Sequence, residues 1–181
     1  PVRTIVNTDE GELAFQEYFV HRHCEPRVKG FRVDGSEEAQ PAPGAEETLE
    51  AADAVVICPS NPWVSIDPIL RVLALTPSSL PEGDRRKLNK PIVAVSPIIG
   101  GKTVKGPAAK MYAELGIEPS ALAVAEHYRD LLAGFVLDNQ DKQLSDKFKK
   151  GKIMITDTLM NSMSSRARLA KDVLQFIRSL I

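Results

Sequence analysis

Hydrophobic positions along the chain gather into four short unbroken runs: Ala54-Val55-Val56-Ile57-Cys58, Ile92-Val93-Ala94-Val95, Phe135-Val136-Leu137 and Ile153-Met154-Ile155. A strand covered on both faces reads this way because none of its positions has to meet water, which is the mark of a parallel sheet between two helical layers. The stretches between and after the runs predict helices over 66–72, 107–115, 120–132, 142–149 and 165–180, with one more over 45–52 ahead of the first run. That alternation of strand and helix predicts the α/β class, as a Rossmann-like three-layer sandwich with a mainly parallel sheet. In the last helix Leu169, Val173, Phe176, Ile177 and Leu180 recur at three- and four-residue spacings, a stripe that packs on the core.

The first 35 residues have a different texture. Residues 2–8 read as a strand closed by the turn chemistry of Asp9-Glu10-Gly11, and Val28, Phe31 and Val33 suggest a second short strand before Asp34-Gly35. Residues 15–22 fit either period and their type stays open. Residues 36–44, with Pro41 and Pro43, read as a surface connection. The chain is thus expected to form one α/β unit over 1–181, with a β-rich entry over 1–35 and βα repeats over 45–181 that carry the chemistry.

Charge narrows the function by exclusion. Twenty-three Lys and Arg against 24 Asp and Glu leave a net charge of -1, so no global field draws the protein to nucleic acid or to an anionic membrane, and any anion site must be local. The longest apolar run, over 51–58, is already broken by Asp53 and is far shorter than the roughly 18 residues of a membrane span. No basic segment precedes an apolar one at the start, and Pro1-Val2 opens the chain without a Met, so the expectation is a truncated product without a secretory signal. Cys24 and Cys58 have no second ligand type at metal spacing, which argues against a disulfide or a cysteine metal site and fits a reducing, cytoplasmic setting.

Three loops are candidates for chemistry, because open α/β sheets bind ligands beyond the carboxyl ends of their strands. The first is Cys58-Pro59-Ser60-Asn61-Pro62-Trp63-Val64-Ser65, where Ser65 stands where a helix N-cap belongs, ahead of Pro68. A phosphate site and a proline-stiffened turn explain this segment equally well. The second runs from Ser96 to Pro107, in which Gly100, Gly101 and Gly106 permit close backbone approach and Lys102, Lys105 and Lys110 offer cations to phosphate oxygens. It lacks the spacing of a Walker loop, and Gly-Gly with lysines is also common in solvated turns. The third, Thr156-Asp157-Thr158, would bring a carboxylate to the same edge as a metal ligand or a sugar-hydroxyl acceptor, an N-cap being the bland alternative. His21, His23 and His127 are scattered and form no metal or nucleophile pattern, so the chemistry expected of an enzyme here is positioning and charge stabilisation of phosphates. A lone Trp63 is more often packed in a core or lid than stacked on a ligand ring.

The strings Pro59-Ser60-Asn61-Pro62, Ser65-Ile66, Pro68-Ile69-Leu70, Val95-Ser96-Pro97-Ile98-Ile99-Gly100-Gly101 and Lys105-Gly106-Pro107-Ala108-Ala109-Lys110 resemble the 2-phospho-L-lactate transferase and phosphoenolpyruvate transferase family of coenzyme F-420 biosynthesis. Thr8-Asp9-Glu10-Gly11, Phe15-Gln16-Glu17-Tyr18, Ala125-Glu126-His127-Tyr128 and Thr156-Asp157-Thr158-Leu159-Met160 fit the same pattern in the same order. The resemblance implies transfer of a phospholactyl or phosphoenolpyruvyl group from a guanosine diphosphate-linked donor to the hydroxyl of a deazaflavin acceptor, with release of GMP and with Mg2+ as cofactor. It implies Ser60, Asn61, Ser65, Ser96, Gly100, Gly101, Lys102, Gly106 and Lys110 as donor phosphate and nucleotide contacts, with Lys105 and Asp157 as catalytic residues and the metal ligands unassigned. It leaves a homodimer open.

The family's Gly-Gly-Thr-Gly nucleotide loop has no counterpart here, and Cys58 stands where many members carry glycine. The resemblance therefore describes the C-terminal part of a larger transferase, expected to be inactive alone. A related family of nucleotide-sugar-binding regulatory proteins is the alternative, and its loop lacks the Ser-Asn-Pro found here.

Overall fold

The computed structural model describes residues 2–75 and 88–181. It opens with an antiparallel sheet. Strand β1 (Arg3–Thr8) turns through Asp9-Glu10 into β2 (Gly11–Ala14), with Thr8 opposite Gly11, and β3 (Val28–Asp34) pairs with the other side of β1. The Thr8 hydroxyl donates to the Gly11 carbonyl at 2.7 Å and fixes the turn. Between β2 and β3 the undecided segment forms a wide helical turn, Glu17–His21, that buries Tyr18. Strand β2 escapes a periodicity reading because only Leu13 of its four residues is even half-buried.

The second sheet follows α1 (Ala45–Ala51). Strand β4 (Val55–Ile57) leads through a wide turn, Pro62–Ile66, into α2 (Asp67–Val72), and β5 (Ile92–Val95) into a hairpin of β6 (Ile98–Ile99) and β7 (Lys102–Thr103). Helices α3 (Ala108–Glu114) and α4 (Ala121–Tyr128) come next, then β8 (Gly134–Asp138), a 3-10 segment Asn139–Lys147, β9 (Lys152–Thr156) and α5 (Met163–Arg178). The sheet order is β4-β5-β8-β9 and every pair is parallel, so the fold is the Rossmann-like α/β sandwich the apolar runs predict.

Alternation along the strands divides the core between two faces. Ile57, Ile92, Ala94, Phe135 and Leu137 pack against Leu70 of α2, Tyr112 of α3 and Val124 and Tyr128 of α4. Val93, Val95 and Val136 point the other way, onto Leu169, Val173 and Ile177 of α5. Each such side chain stabilises the fold by about 1.5–3 kcal/mol on full burial. A third cluster, Val6, Tyr18, Val28 and Met111, docks the antiparallel sheet on α3. The Val28 N–H donates to a Glu114 carboxylate oxygen at 2.9 Å, and Lys110 Nζ donates to the Pro26 carbonyl at 3.1 Å, so the docking is also polar.

Two helices differ from expectation. The one predicted over 120–132 stops at Tyr128, because Arg129 has φ 38° and leaves the helical region. The one predicted over 142–149 is the 3-10 segment, which buries only Asp141 and so lacks the apolar face that would support an α-helix. Among the described residues no helix is long and apolar enough to cross a membrane.

Helix α5 lies so close to β8 that a Cβ on Gly134 would sit 2.7 Å from Phe176 Cε1 and 3.1 Å from Leu180 Cδ1. Gly134→Ala is therefore expected to lower stability by about 1–3 kcal/mol through overpacking, read as a lower denaturation midpoint at unchanged slope. Unchanged stability would mean that the Phe176 and Leu180 side chains yield to the added methyl group.

Candidate functional site

The four parallel strands end at one edge, so the segments that follow them gather there. A cavity of about 370 Å³ opens at that edge. Its lining includes Pro59, Ser60 and Asn61 after β4, Ser96 and Pro97 after β5, Thr103, Val104, Lys105, Gly106 and Pro107 after the hairpin, Thr158, Leu159 and Met160 after β9, and Arg166 of α5.

The turn after β4 is held by its own side chains. Asn61 Oδ1 accepts from the backbone N–H groups of Trp63 at 3.1 Å and Val64 at 3.4 Å, so Asn61 caps the helical turn. Its Nδ2 reaches Met111 Sδ at 3.0 Å. The Trp63 ring stacks on Phe31 at 5.4 Å, lies 4.2 Å from Tyr112 and meets His127 edge-on at 5.6 Å. Asp67, the first residue of α2, bonds His127 Nε2 through Oδ1 at 2.8 Å, with the two side chains 5% and 9% exposed. Burial pushes the Tyr112 and Tyr128 phenols up from their ordinary value, and the Asp67 carboxylate adds to it. The turn that presents Ser60 is thereby fastened to the antiparallel sheet through Trp63 and to α4 through His127.

The glycine loop has a structural explanation. Gly100 and Gly101, with φ 55° and 76°, are the two-residue turn of the β6–β7 hairpin, a geometry that demands positive φ at both positions. The Gly100 N–H donates to Asp141 Oδ2 at 3.0 Å. Ser96 is buried, donating to the Ile98 carbonyl at 2.8 Å and accepting from the Ile98 N–H at 3.1 Å. Thr103 Oγ1 donates to the Gly106 carbonyl at 2.8 Å and closes the segment that carries Lys105.

Of the residues predicted from sequence, the cavity brings together Ser60, Asn61, Ser96, Lys105 and Gly106. Ser65 is an exposed residue inside the helical turn, and the capping role expected of it belongs to Asn61. Gly100 and Gly101 stand behind the cavity in the hairpin turn, and Lys102 borders an adjacent hollow of about 150 Å³ with Val104, Gln140 and Leu159. Lys110 pairs with Glu114 at 2.6 Å and with the Pro26 carbonyl, which holds the entry segment. Asp157 pairs with Arg168 at 2.8 Å and accepts from the Leu159 N–H at 3.0 Å, outside the cavity lining.

Two features went unread in the sequence. Asp138, buried at the end of β8, accepts from the Thr158 N–H at 2.8 Å and hydroxyl at 3.1 Å and from the Gln140 N–H at 3.0 Å, so it staples the loop after β9 in place. An acid directly after an apolar strand was the signal for it. Arg166 was masked by the apolar stripe of its helix.

Among the described residues the cavity lining contains two cations, Lys105 and Arg166, and no carboxylate. Among the described residues the side chains of Ser60 and Lys105 form no hydrogen bond, and no group of three or more His, Cys, Asp or Glu could hold a metal ion. The side chains of such a lining favour an anion over a cation.

A family model described as 2-phospho-L-lactate transferase CofD matches residues 1–174. The 2-phospho-L-lactate transferase of Methanopyrus kandleri is 41% identical over 187 residues, covering 99% of this chain and 56% of its own length. That of Methanosarcina barkeri is 38% identical over 183 residues, covering 100% of this chain and 57% of its own. The phosphoenolpyruvate transferase of Streptomyces coelicolor is 34% identical over 163 residues, covering 88% and 49%. The chain spans little more than half the length of the curated relatives it matches. It belongs to the 2-phospho-L-lactate transferase CofD family.

Removing His127 would leave Asp67 as a buried carboxylate without its bonded partner. His127→Ala is expected to destabilise by about 3 kcal/mol in chemical denaturation. A change below about 0.5 kcal/mol, the range of an ordinary surface substitution, would show that the pair does not anchor the turn.

Proposed function

We propose, from that family membership, that this chain supplies the donor-phosphate side of a transferase active site. The full-length protein moves a phospholactyl or phosphoenolpyruvyl group from a guanosine diphosphate-linked donor to the hydroxyl of a deazaflavin alcohol in coenzyme F-420 biosynthesis. The observation that carries the reading is the carboxylate-free cavity at the carboxyl edge of the parallel sheet, with Lys105 and the Ser60 hydroxyl both available to a ligand.

In this reading the acceptor hydroxyl oxygen bonds to the phosphorus that carries the lactyl or enolpyruvyl group. The bond from that phosphorus to the bridging oxygen breaks, GMP leaves with the electron pair, and the hydroxyl proton is released. Negative charge grows on the bridging oxygen, and a fixed ammonium there lowers the barrier because it needs no reorganisation at the moment of reaction. Lys105 supplies that charge, and Ser60 donates a hydrogen bond to the diphosphate. Asn61 and Ser96 hold the two turns whose positions fix the distance between these donors. Magnesium prefers oxygen ligands, and the residues lining the cavity supply no carboxylate. These residues do not fit a protein-held ion.

Lys105 is one of the few lining side chains whose loss leaves the packing untouched, since it forms no hydrogen bond or ion pair among the described residues. Lys105→Ala in the full-length protein is expected to keep the melting temperature and to lower turnover about a hundredfold, as does removal of one preorganised charge donor. Steady-state assay with the deazaflavin acceptor and the guanosine diphosphate-linked donor measures it. Turnover within a fewfold of the unaltered protein would make Lys105 a solvated surface residue.

A further inference from the structure

Several cations among the described residues are held by the protein's own acceptors. Lys90 donates to the carbonyls of Leu49, Glu50 and Ala52 at 2.6–2.8 Å, Lys152 to the Ser179 carbonyl at 2.8 Å, Lys110 pairs with Glu114 at 2.6 Å, and Arg168 with Asp157 at 2.8 Å. The protein itself satisfies each of these. Arg166 is different: it lines the cavity, and its contact among the described residues is Nη1 to Met163 Sδ of its own helix, at 4.0 Å. A thioether is a weak acceptor, so the guanidinium keeps nearly all of its donor capacity for a ligand.

Its placement is firm although its side chain is exposed. Ser162 and Ser165 form a reciprocal cap that starts α5, and Leu169 and Val173 fasten the same helix to the sheet, so the backbone of Arg166 is fixed at the cavity rim. Lys105 reaches the same cavity from the loop after β7. Two cations from unrelated elements therefore face one carboxylate-free space.

We infer that Arg166 is a specificity-determining residue that binds the carboxylate of the transferred group. The inference rests on the transferase reading above. Phospholactyl and phosphoenolpyruvyl groups each carry one carboxylate beside the phosphorus, so the donor presents two anionic centres and the cavity offers two cations. A guanidinium matches a carboxylate in a planar two-point contact, whereas an ammonium acts as a point charge suited to a diphosphate. The division of labour follows: Lys105 takes the diphosphate and Arg166 the carboxylate, whichever of the two three-carbon groups the donor carries.

The test compares Arg166→Gln and Arg166→Lys with the unaltered full-length protein. Arg166→Gln is expected to raise KM for the guanosine diphosphate-linked donor about tenfold or more, the loss of a charged hydrogen-bonded contact, while the melting temperature holds. GDP, which lacks the carboxylate, is expected to bind all three proteins alike in calorimetry, and Arg166→Lys to recover only part of the donor affinity. An unchanged KM in Arg166→Gln, or GDP binding that weakens in parallel with the donor, overturns the assignment. The transferase reading fails separately: if the unaltered protein does not turn over the donor yet binds phosphoenolpyruvate in an Arg166-dependent manner, that reading falls and the carboxylate site stands. Absence of phosphoenolpyruvate binding to such an inactive protein overturns both.

Discussion

The site depends on one buried ion-capable pair, Asp67 with His127. Asp67 begins α2 directly after the turn that presents Ser60, and His127 stands in the last turn of α4, which packs on the same face of the sheet. A carboxylate this deeply buried is strongly unfavourable without a donor, so α2 and α4 cannot separate without exposing it or leaving it unpaired. Trp63 fills the space between them, with Phe31 of the antiparallel sheet on one side and Tyr112 and His127 on the others. The position of Ser60 at the cavity is thus set by contacts made on the far side of its turn.

The antiparallel sheet serves the same end. It has a small core of its own, built from Val6, Tyr18 and Val28 around Met111 of α3, and it is tied to α3 by the Lys110 bond to the Pro26 carbonyl and the Val28–Glu114 bond. Met111 also receives the Asn61 amide, so α3 joins the sheet to the turn after β4. A continuous chain of contacts thus runs from β3 through α3 to the turn beside the cavity.

Much of the fold was legible because all four parallel strands carry an unbroken apolar run, although burial on both faces explains it only for the inner strands β5 and β8, the edge strands β4 and β9 leaving Val56 and Ile155 exposed. The two-residue strands β6 and β7 were not legible, since a pair of residues has no period. The glycine loop shows where sequence reasoning runs out. Gly100-Gly101 beside Lys102 has the same composition whether the backbone meets a phosphate or makes a hairpin turn, and only the arrival of Asp141, 41 residues later, decides that the Gly100 N–H is occupied. Lys110 and Lys105 were alike in the sequence for the same reason: Glu114 and Pro26 capture one, and no described partner captures the other. Arg166 was hidden because an apolar stripe draws attention to the face of a helix that packs, while the residue that matters to the cavity lies off that stripe.

Three buried aspartates stand near this edge, yet the cavity among them is free of carboxylate. Asp138 accepts from Gln140 and Thr158, Asp141 from Gly100, and Asp67 from His127, so their charge is directed into the donors that shape the surrounding loops. Neutral donors stabilise these carboxylates without cancelling their charge, so the difference at the cavity is one of distance: Lys105 and Arg166 are in its lining and the three aspartates are outside it. The same edge can therefore be rich in acid, which fixes its loops, and still present a positive field to a ligand through Lys105 and Arg166. A carboxylate moved onto the lining, as in Thr103→Asp, would offset one of the two positive charges there and remove the Thr103 bond to the Gly106 carbonyl, so the proposed anion site rests on keeping structural acids apart from the lining cations.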